Sequence, residues 1–145
     1  TGTSHVTIFP KLLDMLRNVW HVRRAVVDAT GVGAGIASFL AGALGTSVVV
    51  PFLFTQASKS KLGFALLAAI NSGRIKMYAQ DSSEEYREFW FQMCKAKSNF
   101  RPNQTMNFYV DPQEGHDDFL VSLALVAEAA RDFSPRAAKG GLRDD

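Results

Sequence analysis

The chain has 145 residues, of which 47% are hydrophobic and 21% are charged, and its formal net charge is +2. These values are ordinary for one globular domain, and the small positive charge permits an anionic partner without requiring one. Cys94 is the only cysteine. This excludes an internal disulfide and a cysteine-rich zinc site, and it fits a reducing compartment. No apolar run reaches the roughly 18 residues of a membrane-spanning helix, so we expect no membrane partner.

Hydrophobic periodicity and turn residues predict helices that alternate with strands. Five helices are predicted, over residues 10–20, 36–44, 58–73, 82–97 and about Asp117–Phe133. The third has Ser58 as its N-cap and is terminated by Asn71–Gly73, and the fourth has Ser82 or Ser83 as its N-cap. The predicted strands cover Ala25–Asp28, Ser47–Phe54 and residues 74–78, with short extended pieces near Ser98–Arg101 and Met106–Tyr109 that form a hairpin or an edge. This alternation predicts an α/β domain with parallel pairing.

A glycine-rich turn, DATGVGAG, follows the strand that ends at Asp28. It does not complete the dinucleotide-binding fingerprint, because Ile36 stands where the third glycine is required. It also lacks the Gly-Lys-Ser/Thr ending of a phosphate-binding loop. A tight turn from strand to helix explains Gly31 and Gly33, and nucleotide binding remains the weaker alternative.

Acidic residues stand at two predicted element ends. Asp28 closes an apolar strand, where ligands bind in open α/β sheets, although a lone aspartate there is more often a cap or a turn former. Asp117 and Asp118 precede an apolar helix, whose dipole favours acidic residues. Capping needs one side chain, and a divalent cation would remove the repulsion between two adjacent carboxylates. His116 is a candidate ligand or proton shuttle, or else a surface turn residue.

Three basic residues bracket the third predicted helix, with Lys59 and Lys61 at its start and Arg74 after its end. Lysine near a helix N-terminus is unfavourable for the dipole, so a bound phosphate would explain it. Solvated surface side chains are the alternative.

Three stretches, taken in order, resemble the nuclease domain of the large terminase subunit of tailed bacteriophages: AVVDATGVGAG, SKSKLGFALLAAINSGRIKMY and EGHDDFLVSLAL. The resemblance runs from His5 to about Ala130 and rests on their combination, since each stretch alone is a weak signal. It implies an RNase H-like α/β fold, in which helices flank a mixed sheet. It also implies an endonuclease that cuts concatemeric double-stranded DNA during genome packaging by two-metal hydrolysis, with Mg²⁺ or Mn²⁺.

The family's functional residues carry over by position. Asp28 matches its middle acidic residue, and Asp117 and Asp118 match the acidic pair that completes the metal site. His116 matches a histidine that often precedes this pair. The resemblance therefore implies these four as catalytic residues and the three aspartates as metal ligands.

The resemblance also implies partners. Double-stranded DNA would lie against Lys59, Lys61 and Arg74. In a whole large subunit, a preceding ATPase domain, the portal and the small terminase subunit are the other partners. The implied location is the cytoplasm of a bacterial host, as a phage or prophage protein.

The sequence departs from the family pattern at its start. The family's first catalytic aspartate lies on an opening strand upstream of the first helix, whereas Thr1 stands just before that helix, and Asp14 falls within it. We therefore expect residues 1–133 to be a nuclease domain that lacks its first strands and has impaired activity, with a flexible tail over 134–145. The exposed sheet edge predicts self-association. A non-catalytic module that binds DNA or a packaging partner is the alternative function.

Overall fold

The structure is a computed structural model that describes residues 5–133, so the tail predicted over residues 134–145 lies outside the described part. The described residues form a mixed α/β arrangement of helices and short strands. In chain order these are α1 (His5–Asp14), a π-helical turn (Met15–Val19), β1 (Ala25–Asp28), α2 (Gly33–Leu44), β2 (Val49–Phe52), α3 (Gln56–Asn71), α4 (Glu84–Lys95), β3 (Lys97–Phe100), β4 (Met106–Tyr109) and α5 (Asp118–Ala129).

Strands β1 and β2 form a parallel pair, with Ala25 opposite Val49 and Asp28 opposite Phe52. Helix α2 connects them and packs on both strands, while α5 packs on β1. Parallel strands need such a crossover, because a tight hairpin can join only antiparallel ones. The predicted parallel pairing is therefore confirmed, and the two strands end at the same edge.

Strands β3 and β4 form a separate antiparallel hairpin, with Lys97 opposite Tyr109 and Phe100 opposite Met106. The resemblance implied one mixed sheet, whereas the strands of residues 5–133 form two pairs. The backbone N–H of Met106 donates to the hydroxyl of Ser60 in α3, at 2.9 Å. This amide of β4 is thus satisfied by a helix side chain and not by a neighbouring strand.

The main core lies between α3, β4 and α5, and its buried members are Leu62, Leu66, Phe108, Val110, Leu120 and Ala124. Gly63 allows α3 to approach β4 closely. A β-carbon at this position would lie 2.5 Å from the Met106 Cε atom and 2.8 Å from the Phe108 Cδ1 atom. This core fixes the position of α5, whose first residues include the acidic pair.

Several predicted boundaries were wrong. Helix α3 begins at Gln56, because Thr55 and not Ser58 is the N-cap. The Thr55 Oγ1 atom accepts a hydrogen bond from the Ser58 N–H at 3.0 Å, and the Ser58 Oγ atom accepts one from the Thr55 N–H at 2.8 Å. These reciprocal bonds form a capping box one turn earlier than predicted.

The strand predicted over residues 74–78 is absent from the described fold. The segment keeps an alternating pattern, since Ile75 and Met77 are half-buried and their neighbours are exposed, but it has no ladder partner. The first helix starts before Pro10 and passes into a π-helical turn, and the last helix ends at Ala129 and not at Phe133. The predicted N-cap Ser83 and the stop after Asn71 are confirmed.

Candidate metal and DNA site at the end of the parallel strands

Asp28 closes β1 and is exposed. Its Oδ1 atom accepts a hydrogen bond from the Thr30 N–H at 2.8 Å. The Thr30 Oγ1 atom in turn accepts one from the Phe54 N–H at 2.9 Å, so the turn after β1 is tied to the end of β2. One carboxylate oxygen of Asp28 thus holds the turn, and the other remains available to a ligand at the strand edge.

The glycines after Asp28 are required by the backbone. Gly31 has a φ of 58°, in the left-handed region that favours glycine. A β-carbon on Gly33 would lie 2.2 Å from the Asp28 carbonyl oxygen, which leaves no room for any other residue unless α2 moves. The close approach of α2 to β1 therefore explains this glycine without a bound nucleotide.

Arg24 and Val26, which share a face of β1 with Asp28, have neighbours in α5 or just after it. Arg24 forms an ion pair of 3.2 Å with Asp132, which follows α5. Val26 lines a cavity together with Val126 of α5. Since every second side chain of a strand points to the same face, Asp28 shares this face with Arg24 and Val26.

The start of β1 lies near the C-terminal end of α5, because Arg24 pairs with Asp132 and the two elements are in contact. From Ala25 to Asp28 the strand advances by about 10 Å. From Ala129 back to Asp118 the helix advances by about 16 Å. An antiparallel course of α5 along β1 would bring Asp28 beside the N-terminal half of α5, toward the end that carries Asp118.

The acidic pair does not cap its helix. Asp117 occupies the N-cap position of α5, but its side chain makes no capping hydrogen bond. The Phe119 N–H donates instead to the Oε1 atom of Gln92, at 2.8 Å. Gln92 is a residue of α4 that is only 2% exposed. The capping explanation for the two carboxylates is therefore not supported, and both Asp117 and Asp118 stay available.

Ion pairs hold the loop before the acidic pair. Glu114 contacts the Nζ atoms of Lys95 and Lys97 at 2.9 and 2.6 Å, and Lys97 lies 4.0 Å from Asp111. Hydrogen bonds from Lys97 and then Lys95 lower the pKa of Glu114 from 4.5 to about 2. The same hydrogen bond from Glu114 raises the pKa of Lys97. The loop is thus anchored to the start of β3, while His116 at its end is exposed.

Sequence reasoning missed this anchor and the cap from Gln92. The alternating lysines of the stretch KAK, residues 95–97, were a local sign of the anchor. A glutamine in the middle of an amphipathic helix gives no such sign.

The three candidate DNA-binding residues do not form one patch. Lys59 and Lys61 lie in the first turns of α3, which starts shortly after the end of β2 and so near the edge that carries Asp28. Arg74 follows the other end of α3, about 22 Å away along the axis, and donates to the Ala130 carbonyl at 3.4 Å. The Lys59 ammonium lies 5.2 Å from the centre of the Phe108 ring, whereas Lys61 is exposed.

The donor chemistry fits a hard divalent cation, for which carboxylate oxygens are preferred ligands. Within residues 5–133, however, no group of three or more His, Cys, Asp or Glu side chains lies close enough to hold an ion. Mg²⁺ in enzymes is commonly held by one or two carboxylates, with water and substrate phosphate as the other ligands. The adjacent pair Asp117 and Asp118 meets that smaller requirement.

Comparisons with models of protein families, with curated proteins and with solved structures find no match to this chain. In the described range of the chain, no helix has the length and apolar character needed to cross a bilayer.

Proposed function

We propose that this chain is an RNase H-like nuclease domain of the terminase type, which hydrolyses phosphodiester bonds of double-stranded DNA with Mg²⁺ or Mn²⁺. The observation that carries the proposal is that the acidic pair at the start of α5 makes no capping hydrogen bond. Asp117 and Asp118 stand at a helix start but leave the capping to Gln92. Two carboxylates kept free at one edge suit a cation better than a purely structural role.

Each residue has a role in this proposal. Asp28, Asp117 and Asp118 would supply free oxygens to the ions, with water and DNA phosphate as the other ligands, and the core of α3, β4 and α5 keeps the last two in position. When bound, two divalent ions would supply the charge that activates water and stabilises the leaving oxygen. His116, exposed beside the pair, accepts or delivers a proton.

Lys61, and Lys59 to a lesser extent, would meet the DNA backbone near this edge. Arg74 donates to the Ala130 carbonyl at the other end of α3 and lies outside the DNA-binding surface of this proposal.

Cleavage of supercoiled plasmid tests the proposal. We expect slow nicking with Mn²⁺ that EDTA abolishes, and that Asp28→Asn and Asp118→Asn each reduce by at least about tenfold, the usual scale for lost metal-site partners. Asp14→Asn, which changes an exposed carboxylate on α1, is the matched control. Metal-dependent nicking that survives both substitutions would overturn the assignment of the site.

A second candidate is a non-catalytic module that binds DNA or a packaging partner. The absence of a three-ligand group among residues 5–133 favours it. Salt-dependent DNA binding by a chain that shows no nicking with either metal would support this candidate over the nuclease.

A further inference from the structure

The outer edge of β1 is open in the described part of the chain. Strand β2 pairs with one side of β1, and no described strand pairs with the other. The backbone N–H groups of Ala25 and Ala29 donate to Val48 and Phe52 on the β2 side, each at 2.8 Å. Because these groups alternate along a strand, those of the even-numbered residues 24, 26 and 28 point outward.

Exposed apolar side chains lie near β1. Trp20 is 59% exposed and Val126 is 61% exposed, and both line the cavity that includes Val26. An unpaired strand edge beside exposed apolar side chains is a template for pairing with another strand.

The charged residues at the two ends of β1 have opposite signs, so two antiparallel copies of the strand would be complementary in charge. Arg24 stands at one end of the strand and Asp28 at the other, with the apolar residues 25–27 between them. If two copies of β1 pair antiparallel with Val26 opposite Val26, each Arg24 stands opposite Asp28 of the other copy. In this register the hydrogen-bonded pairs are formed by even-numbered residues, whose N–H and C=O groups point outward.

We propose that the outer edge of β1 is a homodimer interface, in which two copies pair antiparallel about Val26 and extend the parallel pairs into one four-stranded sheet. Neighbouring registers that keep the alternation place Arg24 opposite Val26 or Thr30, so only the register centred on Val26 joins the opposite charges. Arg24 donates one hydrogen bond to Asp132 and has further N–H groups for the second copy. One oxygen of Asp28 is likewise left over from its bond to Thr30, and in the dimer it would pair with Arg24 of the second copy in place of a cation.

Sedimentation velocity of the full chain over a range of concentrations tests the interface, with EDTA present so that the result does not depend on metal. We expect a dimer. Arg24→Asp and Asp28→Arg each place like charges opposite one another and should weaken the dimer by at least about tenfold. The double variant restores opposite charges in the same register and should regain most of the affinity.

This rescue cannot come from improved folding of the monomer. Arg24→Asp removes the ion pair with Asp132, Asp28→Arg removes the turn bond to Thr30, and the double variant loses both. Circular dichroism checks that each variant is folded.

Val26→Pro provides an independent test, because it removes an N–H that points outward and is not used by β2. It should abolish the dimer, whereas Val26→Thr, which keeps the N–H and the shape, should retain it. A wild type that stays monomeric at all concentrations would overturn the proposal. So would single reversals that dimerise like the wild type, or a double variant without rescue.

Discussion

The buried side chain of Gln92 accepts a hydrogen bond of 2.8 Å from the backbone N–H of Phe119. This bond gives α5 a cap that comes from α4, while Asp117 in the N-cap position makes none. The Gln92 Nε2 atom donates to Glu88 at 2.9 Å, so the amide is satisfied at both ends. The chain can therefore start a helix with two carboxylates and leave them free for a ligand.

Gln92→Leu should destabilise the protein by about 1–3 kcal/mol, because it leaves the Phe119 N–H without its partner in a partly buried place. Urea unfolding followed by circular dichroism measures the change. Gln80→Leu makes the same substitution at an exposed position and should stay within about 0.5 kcal/mol of wild type. Equal losses of unfolding free energy in the two variants would show that the hydrogen bond between Gln92 and Phe119 does not stabilise the protein.

Gly33→Ala should destabilise by about 1–3 kcal/mol, since its β-carbon would overlap the Asp28 carbonyl and push α2 away from β1. Gly35→Ala is the matched control. A β-carbon there has open space around it, and alanine in a helix should stabilise by up to about 1 kcal/mol. Thermal unfolding of both variants measures the difference. A Gly33→Ala variant as stable as the wild type would contradict the close contact between α2 and β1.

Local signals in the sequence predicted several features around β1 and α4. An apolar run that ends at Asp28 and a following glycine turn predicted a strand and a tight connection, and both are present. Ser83 was recognisable as a cap because the helix that it caps follows immediately. Such features depend on residues close together in the chain, so they can be predicted without the fold.

Features that depend on distant residues could not be predicted in this way. Gln92 and Phe119 are far apart in sequence, and only the packing of α4 on α5 brings them together. Residues 74–78 have strand-like alternation, but a strand also needs a partner, which the local pattern does not supply. The sequence places Lys59 and Arg74 at opposite ends of a helix, but it does not show that Arg74 donates to the Ala130 carbonyl, which lies far away in the chain.

Thr55→Val should destabilise α3 by about 1 kcal/mol, because it removes the oxygen that accepts from the Ser58 N–H. Thr55→Ser keeps this oxygen and should cost only a fraction as much. Urea unfolding distinguishes the two variants. If serine costs as much as valine, the methyl group and not the cap would be the stabilising feature.

Stability should fall in acid through Glu114. Its pKa is lowered from 4.5 to about 2 by Lys97 and Lys95, so its contribution is fully present above pH 4.5 and is lost as the pH falls through about 2. Glu114→Gln should therefore reduce the change in unfolding free energy across this window. Glu85→Gln, at an exposed carboxylate, should leave the change close to that of wild type. An unchanged acid slope in Glu114→Gln would contradict the role of the ion pairs.

Direct titration with Mn²⁺, followed by the electron paramagnetic resonance signal of the free ion, tests whether the acidic edge binds metal. The wild type should remove Mn²⁺ from solution, and Asp28→Asn and Asp118→Asn should each weaken binding by at least about tenfold. Asp14→Asn should bind like the wild type. A wild type that binds no Mn²⁺, or equal binding by all four proteins, would contradict the proposed metal site.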